Sequence, residues 1–498
     1  MLDWIGAGTD AQANPQQLFI SGEWRDAQGG ASFENTNPTT GEVFSVAADA
    51  GKADIDAAIA AAAAAQPAWA ATPPAARIAL FHKAADLFEQ RIQNFAEVLM
   101  AETGSGFGKS MFECANLTAV ALRGAGALAT QEIGEIFPSN IPGKVNRTIR
   151  SPKGVVGVIS PWNFPLYLSV RGFIYAVALG NTVVLKPSED SPVSGGLMLA
   201  ELFQDAGFPP GVINVITTAR DGAAMVGEAF VNDKRVNAIS FTGSTAVGKT
   251  LNTACAAVFK PIMLELGGKN PMIVLDDADV DRAVNLAFFS TYLHQGQICM
   301  SAGRILVARN LHAEFVEKLA AKTAHFVPTV PQEQTCVIGP VINARQLTRI
   351  QGLVDRATAA GAKLRLGGET EGPWFKATIL DGVSPDMDIW REEIFGPVAC
   401  ITPFDTEEDA LAMANDTEYG LTASIVTGDL MRGEMLAERV NAGMVHVNDS
   451  TIHDEPHCPF SGMGASGGGG KWGPKGAIEA FTTQRWITSQ RVPYDLPF

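Results

Sequence analysis

The sequence predicts an α/β protein of more than one domain, built on largely parallel sheets. Three observations carry this. At 498 residues the chain exceeds what one compact core organises, so two or three domains are expected. From about residue 154, short β-branched runs alternate with helix-like stretches, the pattern of a parallel sheet with ligands at the carboxyl ends of its strands. A second alternating region follows Cys299.

Taken in order, the start MLDWIGAGTDAQANPQQ has no basic n-region and no apolar run suited to a signal peptide. LFISGEWRDAQGGASF reads as a strand, a Gly-rich turn and a second strand. Residues 53–100 are alanine-rich with helical spacing of Ile, Leu, Trp and Phe, and predict helices. Gly104, Gly106 and Gly108 in ETGSGFGKS follow no strand, so they read as a loop and not a nucleotide site. GVVGVIS, NTVVLKPS, GVINVIT, NAISFTG and NPMIVLDD then read as strands. The stretches LSVRGFIYAVAL, VSGGLMLAELFQDAG, AAMVGEAFVN and TAVGKTLNTACAAV between them read as helices. The second region runs from RILVARN through helix FVEKLAAKT to PVACITPF, ASIVTGD and GMVHVND. SGGGGK at 466–471 reads as a mobile loop, and no internal repeat is found.

Composition narrows the function classes. Fifty-three acids against 37 bases give −16, which argues against nucleic acid or an anionic membrane as partner. No apolar stretch reaches membrane-spanning length. Six scattered cysteines without a CxxC fit reduced thiols and a cytoplasmic location.

Residues 243–250, GSTAVGKT, satisfy the P-loop pattern G-x-x-x-x-G-K-[ST]. A turn from a strand into a helix N-terminus binds an anion in any family, so phosphate binding is expected here. Triphosphate chemistry asks more: Lys249 curled over the phosphates and Thr250 on magnesium. DDADVDRA is no calcium loop, because Arg282 stands where Gly is needed; it reads as a strand end and a helix N-cap. HDEPHC (453–458) fits no standard zinc spacing, so no metal is expected and the stretch reads as a pocket-rim loop.

Five further motifs stand in order with FTGSTAVG: ISPWNFP (159–165), KPSE (186–189), LELGGK (264–269), GQICMS (296–301) and EEIFGP (392–397). Together, along nearly the whole chain, this set resembles the aldehyde dehydrogenase superfamily. The resemblance implies NAD-dependent oxidation of an aldehyde to the acid. Such chemistry needs a thiolate to form a tetrahedral adduct, and Cys299 is the candidate; an ordinary thiol pKa of ~8.5 means it needs help. Cys114, Cys255, Cys336 and Cys400 read as inert core thiols. The resemblance assigns the adduct's oxyanion to the Asn163 amide and the Cys299 N–H. It makes Glu265 the general base for thioester hydrolysis, its carboxylate raised by apolar Leu264 and Leu266.

On the coenzyme side the resemblance implies Lys186 and Glu189 on the adenosine ribose, with Glu189 favouring NAD over NADP while leaving NADP open. Gly243, Ser244 and Gly248 then form a pyrophosphate turn, and Lys249 and Thr250 are ordinary helix residues. Ser160, Trp162, Ser188 and Leu266 line the same coenzyme, and Glu393 and Phe395 hold the nicotinamide ribose and ring. The implied arrangement is a Rossmann-like NAD-binding domain (1–132 and 152–266), a second α/β catalytic domain (267–463), and a small β oligomerisation arm (133–151 and 480–498) for a homodimer or homotetramer.

Helical spacing from the proline puts Phe164, Tyr167, Leu168 and Arg171 on one face, which would wall the aldehyde tunnel with Ile452 and Phe460. The aromatic wall, STIHDEPHCPF and FTTQRWIT resemble the benzaldehyde, vanillin and salicylaldehyde branch. Arg171 could meet a ring hydroxyl or methoxy oxygen, or sit in a structural salt bridge. The sequence departs from the family where PFSGMGASGGGG replaces PFGG-x-K-x-SG, which bears on the substrate entrance. An aliphatic or semialdehyde substrate, a P-loop triphosphatase and a catalytically silent scaffold stand as alternatives.

Overall fold

The computed structural model describes residues 16–131 and 134–493. Residues 1–15, 132–133 and 494–498 lie outside the described residues, and with them the segment read for a leader and both outer ends of the expected arm.

Two large sheets and one small one organise the chain. The first has eight strands in the order Glu23–Arg25, Leu18–Ile20, Ile213–Val215, Thr182–Lys186, Val155–Ile159, Val236–Thr242, Ile262–Glu265, Gly467–Gly468. The five strands between Leu18–Ile20 and Gly467–Gly468 run parallel. Ile159 lies opposite Lys186 and Thr242 opposite Glu265, so the carboxyl ends of these strands share one edge. The second sheet runs Lys363–Leu366, Thr378–Asp381, Val398–Phe404, Ala302–Ala308, Asn270–Val274, Thr422–Val426, Met444–Val447, parallel except at its first strand. The small sheet pairs Thr482–Gln490 with Lys144–Pro152, and that strand with Ile136–Phe137.

The alanine-rich segment forms three helices, Lys52–Ala71, Pro74–Gln90 and Ile92–Thr103. Trp69 fixes the first by donating its indole N–H to the Val177 carbonyl at 2.9 Å. Helix Pro165–Ala178 starts with proline at its first position, where a missing N–H costs nothing. All of its residues are buried, as expected of a helix enclosed by protein on every side.

The structure corrects three details of the sequence reading. ISGEW is itself a hairpin, turned at Ser21–Gly22, so the first segment holds a strand more than expected. NPMIVLDD leaves the first sheet and joins the second; the strand taking its place is Ile262–Glu265, too short an apolar run to stand out in PIMLELGGK. The glycine run at 466–471 is no mobile loop. Gly467–Gly468 pairs antiparallel with Ile262–Glu265, and a Cβ at Gly467 or Gly469 would collide with the carbonyls of Leu264 or Ile262. Here glycine serves close backbone approach.

Candidate active site

Cys299 lies on the loop that joins helix Val280–Tyr292 to strand Ala302–Ala308. His294 and Gln295 adopt left-handed backbone angles (φ 52° and 54°) and turn the chain sharply before it. Such angles are costly off glycine and persist where the surroundings impose them. Gln295 Nε2 donates to the carbonyls of Gly104 (3.2 Å) and Pro340 (2.7 Å), and the Gln297 side-chain oxygen accepts from Ile342 N. Asn270 Nδ2 donates to the carbonyls of Cys299 (2.7 Å) and Ser301 (2.8 Å), which pins the backbone of the thiol residue.

Glu265 ends its strand facing this thiol and is buried. Burial raises its carboxyl to about 7, against the pull of Arg171 and of a hydrogen bond from the Cys299 thiol. Burial, and next the Glu265 charge, push the thiol well above its ordinary range, while Arg171 opposes them. The thiol therefore rests neutral, beside a carboxyl that titrates near neutrality and that in its ionised form can take the thiol proton. Glu265 Oε1 has no protein hydrogen-bond partner, and Oε2 stands 3.8 Å from Arg171.

Asn163 projects from the turn after strand Val155–Ile159. Its Nδ2 donates to the Gln297 carbonyl at 3.0 Å, which fixes the amide beside the Cys299 loop and leaves its second N–H for another acceptor. The Asn163 carbonyl accepts from Lys109 Nζ at 2.8 Å. Lys109 is buried against Glu113 at 2.5 Å, and Glu113 accepts from Tyr167 N at 3.0 Å. This pair clamps the 163–167 turn from behind.

A narrow cavity opens from the thiol. Asn163, Phe164, Tyr167, Leu168, Arg171, Ile452 and Phe460 line it together with Cys299, so the whole predicted aldehyde wall comes together. Arg171 is almost fully buried; NH1 reaches Asp454 at 3.0 Å and the guanidinium lies 4.0 Å over the Phe460 ring. Its Nε and NH2 make no hydrogen bond to protein.

Across the thiol lies the sheet edge. Ser160 Oγ meets Ser169 Oγ at 2.6 Å, and Lys186 Nζ lies 3.5 Å from Glu189, which Arg220 approaches from the other side at 3.6 Å. Ser188 follows the Lys186 strand and contacts Glu189 through its hydroxyl (3.4 Å). Gly243 and Ser244 turn the chain into helix Thr245–Ala257, which Ser244 caps through Val247 N. A Cβ on Gly243 would stand 2.7 Å from the Phe241 ring, and one on Gly248 would collide with Leu266. From the second sheet, Glu393 accepts from Gly268 N at 3.0 Å, and Phe395 meets Trp162 edge-on at 5.4 Å. Burial raises Glu393 to about 7, opposed by that N–H and by Arg349.

The aldehyde dehydrogenase family model matches residues 24–487. The chain belongs to the aldehyde dehydrogenase family. It is 44% identical to the benzaldehyde dehydrogenase [NAD(+)] of Pseudomonas putida over 479 residues, covering 96% of this chain and 97% of that one. It is likewise 44% identical to a vanillin dehydrogenase of Pseudomonas fluorescens, over 96% and 99% of the two chains. Its fold matches the crystal structure of a salicylaldehyde dehydrogenase from Pseudomonas putida G7 complexed with salicylaldehyde, with TM-score 0.94, 36% identity, and 97% and 99% coverage. The protein is an NAD(P)-dependent aldehyde dehydrogenase whose relatives include enzymes named for aromatic aldehydes.

In this aldehyde dehydrogenase the P-loop pattern makes no triphosphate cradle. Lys249 reaches away to Glu418 at 3.2 Å, with both side chains mostly exposed, and Thr250 bonds back to the Ala246 carbonyl within its own helix. Cys114, Cys255, Cys336 and Cys400 are buried, as expected for core thiols. HDEPHC supplies Asp454 to the cavity, whereas Glu455, His457 and Cys458 cluster at the surface and do not line it. Sequence reasoning missed Asp454, Phe112, Leu117, Ile298 and Met300 in the wall, and Lys109 and Glu113 behind it. The i,i+4 spacing of Lys109 and Glu113 was the one available signal for that pair.

Proposed function

We propose that the enzyme oxidises an aromatic aldehyde to its carboxylic acid with NAD, through a thiohemiacetal and then a thioester on Cys299. The cavity carries this reading: it opens at the thiol, is walled by Phe112, Phe164, Tyr167 and Phe460, and offers the free donors of Arg171 deeper in. Flat ring faces suit an aryl aldehyde, and the guanidinium suits a hydroxyl or methoxy substituent. The names of the benzaldehyde, vanillin and salicylaldehyde relatives point the same way.

Glu265 takes the thiol proton as the sulfur–carbon bond forms. The free N–H of the Asn163 amide and the Cys299 N–H hold the oxyanion, each donor of this kind being worth ~10²–10³ in rate. NAD, when bound, accepts the hydride that leaves the adduct carbon. Once its proton has passed to solvent, Glu265 takes a proton from the attacking water; the carbon–sulfur bond breaks and the acid departs.

The sheet edge fits a dinucleotide. A capped helix start with two glycines whose Cβ would clash leaves room for a pyrophosphate at Gly243, Ser244 and Gly248. In this reading Lys186 and Glu189 would meet the adenosine ribose, Ser160, Trp162, Ser188 and Leu266 would line the coenzyme, and Glu393 and Phe395 would hold the nicotinamide end. We favour NAD over NADP because Glu189 would repel a 2′-phosphate and also engages Arg220, the nearest cation that could bind one.

The two large sheets support the division into an NAD-binding domain and a catalytic domain that meet between Glu265 and Asn270. Exposed Ile136 and Trp486 on the small sheet support its role as an oligomerisation arm in a homodimer or homotetramer. Among the described residues no helix is long and apolar enough to cross a membrane, and every cysteine is free, which supports a cytoplasmic site of action.

The test is NADH absorbance with benzaldehyde, vanillin and a matched series of alkanals, ranked by kcat/KM. Aryl aldehydes should lead. Cys299→Ala should abolish turnover while NAD still binds. A preference for alkanals would overturn the aromatic reading, and normal turnover in the variant would overturn the nucleophile.

A further inference from the structure

Among the described residues lining the cavity, Arg171 is the one cation and Asp454 the one anion. Their side chains are only 4% and 8% exposed, and they meet at 3.0 Å. Glu265 stands 3.8 Å from the same guanidinium. The arginine thus faces two acids, and its charge is balanced within the protein before any substrate arrives. We propose that Asp454 is a specificity-determining residue, which by balancing Arg171 reserves the cavity for neutral aldehydes and turns away those bearing a carboxylate. The proposal rests on the reading of this cavity as the aldehyde site.

The physical argument is one of sign. A guanidinium alone in an apolar, aromatic pocket would be a strong receptor for a second carboxylate on the substrate, because bidentate arginine–carboxylate pairs are among the strongest hydrogen-bonded contacts. Asp454 already occupies NH1. A substrate carboxylate at the remaining donors, Nε and NH2, would lie close to Asp454 and to Glu265, and like charges brought together out of water repel strongly. A neutral hydroxyl or carbonyl oxygen at the same donors meets no such repulsion and satisfies two otherwise orphaned groups. Burial raises the Asp454 carboxyl above its ordinary value and Arg171 opposes that shift; the ion pair itself rests on the 3.0 Å contact inside the wall.

The test compares 3-carboxybenzaldehyde with 3-carbamoylbenzaldehyde, which have nearly the same shape and differ in charge. In the parent enzyme kcat/KM should favour the carbamoyl compound by roughly tenfold or more. In Asp454→Asn, which keeps the size and an acceptor for Arg171, the ratio should shift towards the carboxylate by roughly tenfold or more. In Arg171→Gln/Asp454→Asn that gain should vanish, because the unbalanced cation causes it. A parent that takes both substrates equally overturns the proposal even if no variant folds. So does a folded Asp454→Asn whose two rates fall together, the signature of a merely structural residue. If the parent oxidises no aryl aldehyde, the aromatic reading fails by itself. The charge rule is then read with butanal and 4-oxobutanoate, where the same shift is expected and its absence again overturns the proposal.

Discussion

Two glutamates flank the Cys299 thiol, Glu265 on the side we propose for the aldehyde and Glu393 on the side we propose for the coenzyme. Burial raises both to about 7, yet they are held differently. Glu393 accepts the Gly268 N–H, and Arg349 fastens its backbone carbonyl at 2.8 Å. Glu265 has a free oxygen, a thiol beside it and a cation just out of hydrogen-bond reach. The same shift therefore has two meanings. A tethered carboxylate positions a ligand, whereas one with an empty lone pair can carry protons. Perturbed acidity is common to both, and the buried, unpaired oxygen is what supports our proposal of Glu265 as the base.

The largest effect expected from breaking this comparison comes from Glu265→Gln. Steady-state oxidation should fall by ~10² or more, the usual worth of a positioned base. At alkaline pH, where the thiol ionises unaided, a burst of NADH should precede the slow phase, because the first half-reaction recovers and thioester hydrolysis does not. In the parent, hydrolysis should rise with pH through about 7, since the base works only after losing its proton. Rapid-mixing absorbance across pH separates the phases. Loss of the burst at every pH, with thioester hydrolysis unslowed, would mean that Glu265 acts only on the thiol. Glu393→Gln should give no burst and should act on the KM for NAD instead.

A smaller effect is expected on the aldehyde side from Arg171→Leu. Its two open donors predict that hydroxylated benzaldehydes lose about tenfold more kcat/KM than benzaldehyde itself, since a hydrogen bond to a charged group is worth roughly 1.5–3 kcal/mol. Equal losses on both substrates would reduce Arg171 to a partner of Asp454. The smallest belongs to the coenzyme side. Lys249→Ala removes an exposed pair with Glu418, so NAD affinity by titration should change less than about twofold. A large loss would restore the phosphate role that the motif suggests.

The two sides also differ in how far the sequence discloses them. Coenzyme contacts follow strand ends, and a strand end such as TVVLKPSE is visible locally. The wall helix was equally legible, because 164, 167, 168 and 171 share a face by helical period alone. Asp454 was not. It lies 283 residues from Arg171, in a loop that reads as a pocket rim but carries no local signal of which side chain turns inward. Phe112 and Leu117 come from a helix that widens into a π turn over Glu113–Thr118, which moves them off the faces that ordinary period assigns. The strand Ile262–Glu265 stayed hidden because four residues give too little pattern to call.

The glycine strand at 467–468 has a consequence for anyone reshaping this enzyme. It lies against the strand that ends in Glu265, with the Ser466 carbonyl accepting from Leu266 N at 2.9 Å. No methyl group fits at Gly467 or Gly469, so a side chain added there must displace the neighbouring strand and carry Glu265, the proposed general base, with it. A library aimed at new aldehydes belongs instead at cavity-lining side chains such as Ile452 and Leu168. The glycine run, although it lies near the surface and looks permissive, behaves as a part machined to a fixed clearance.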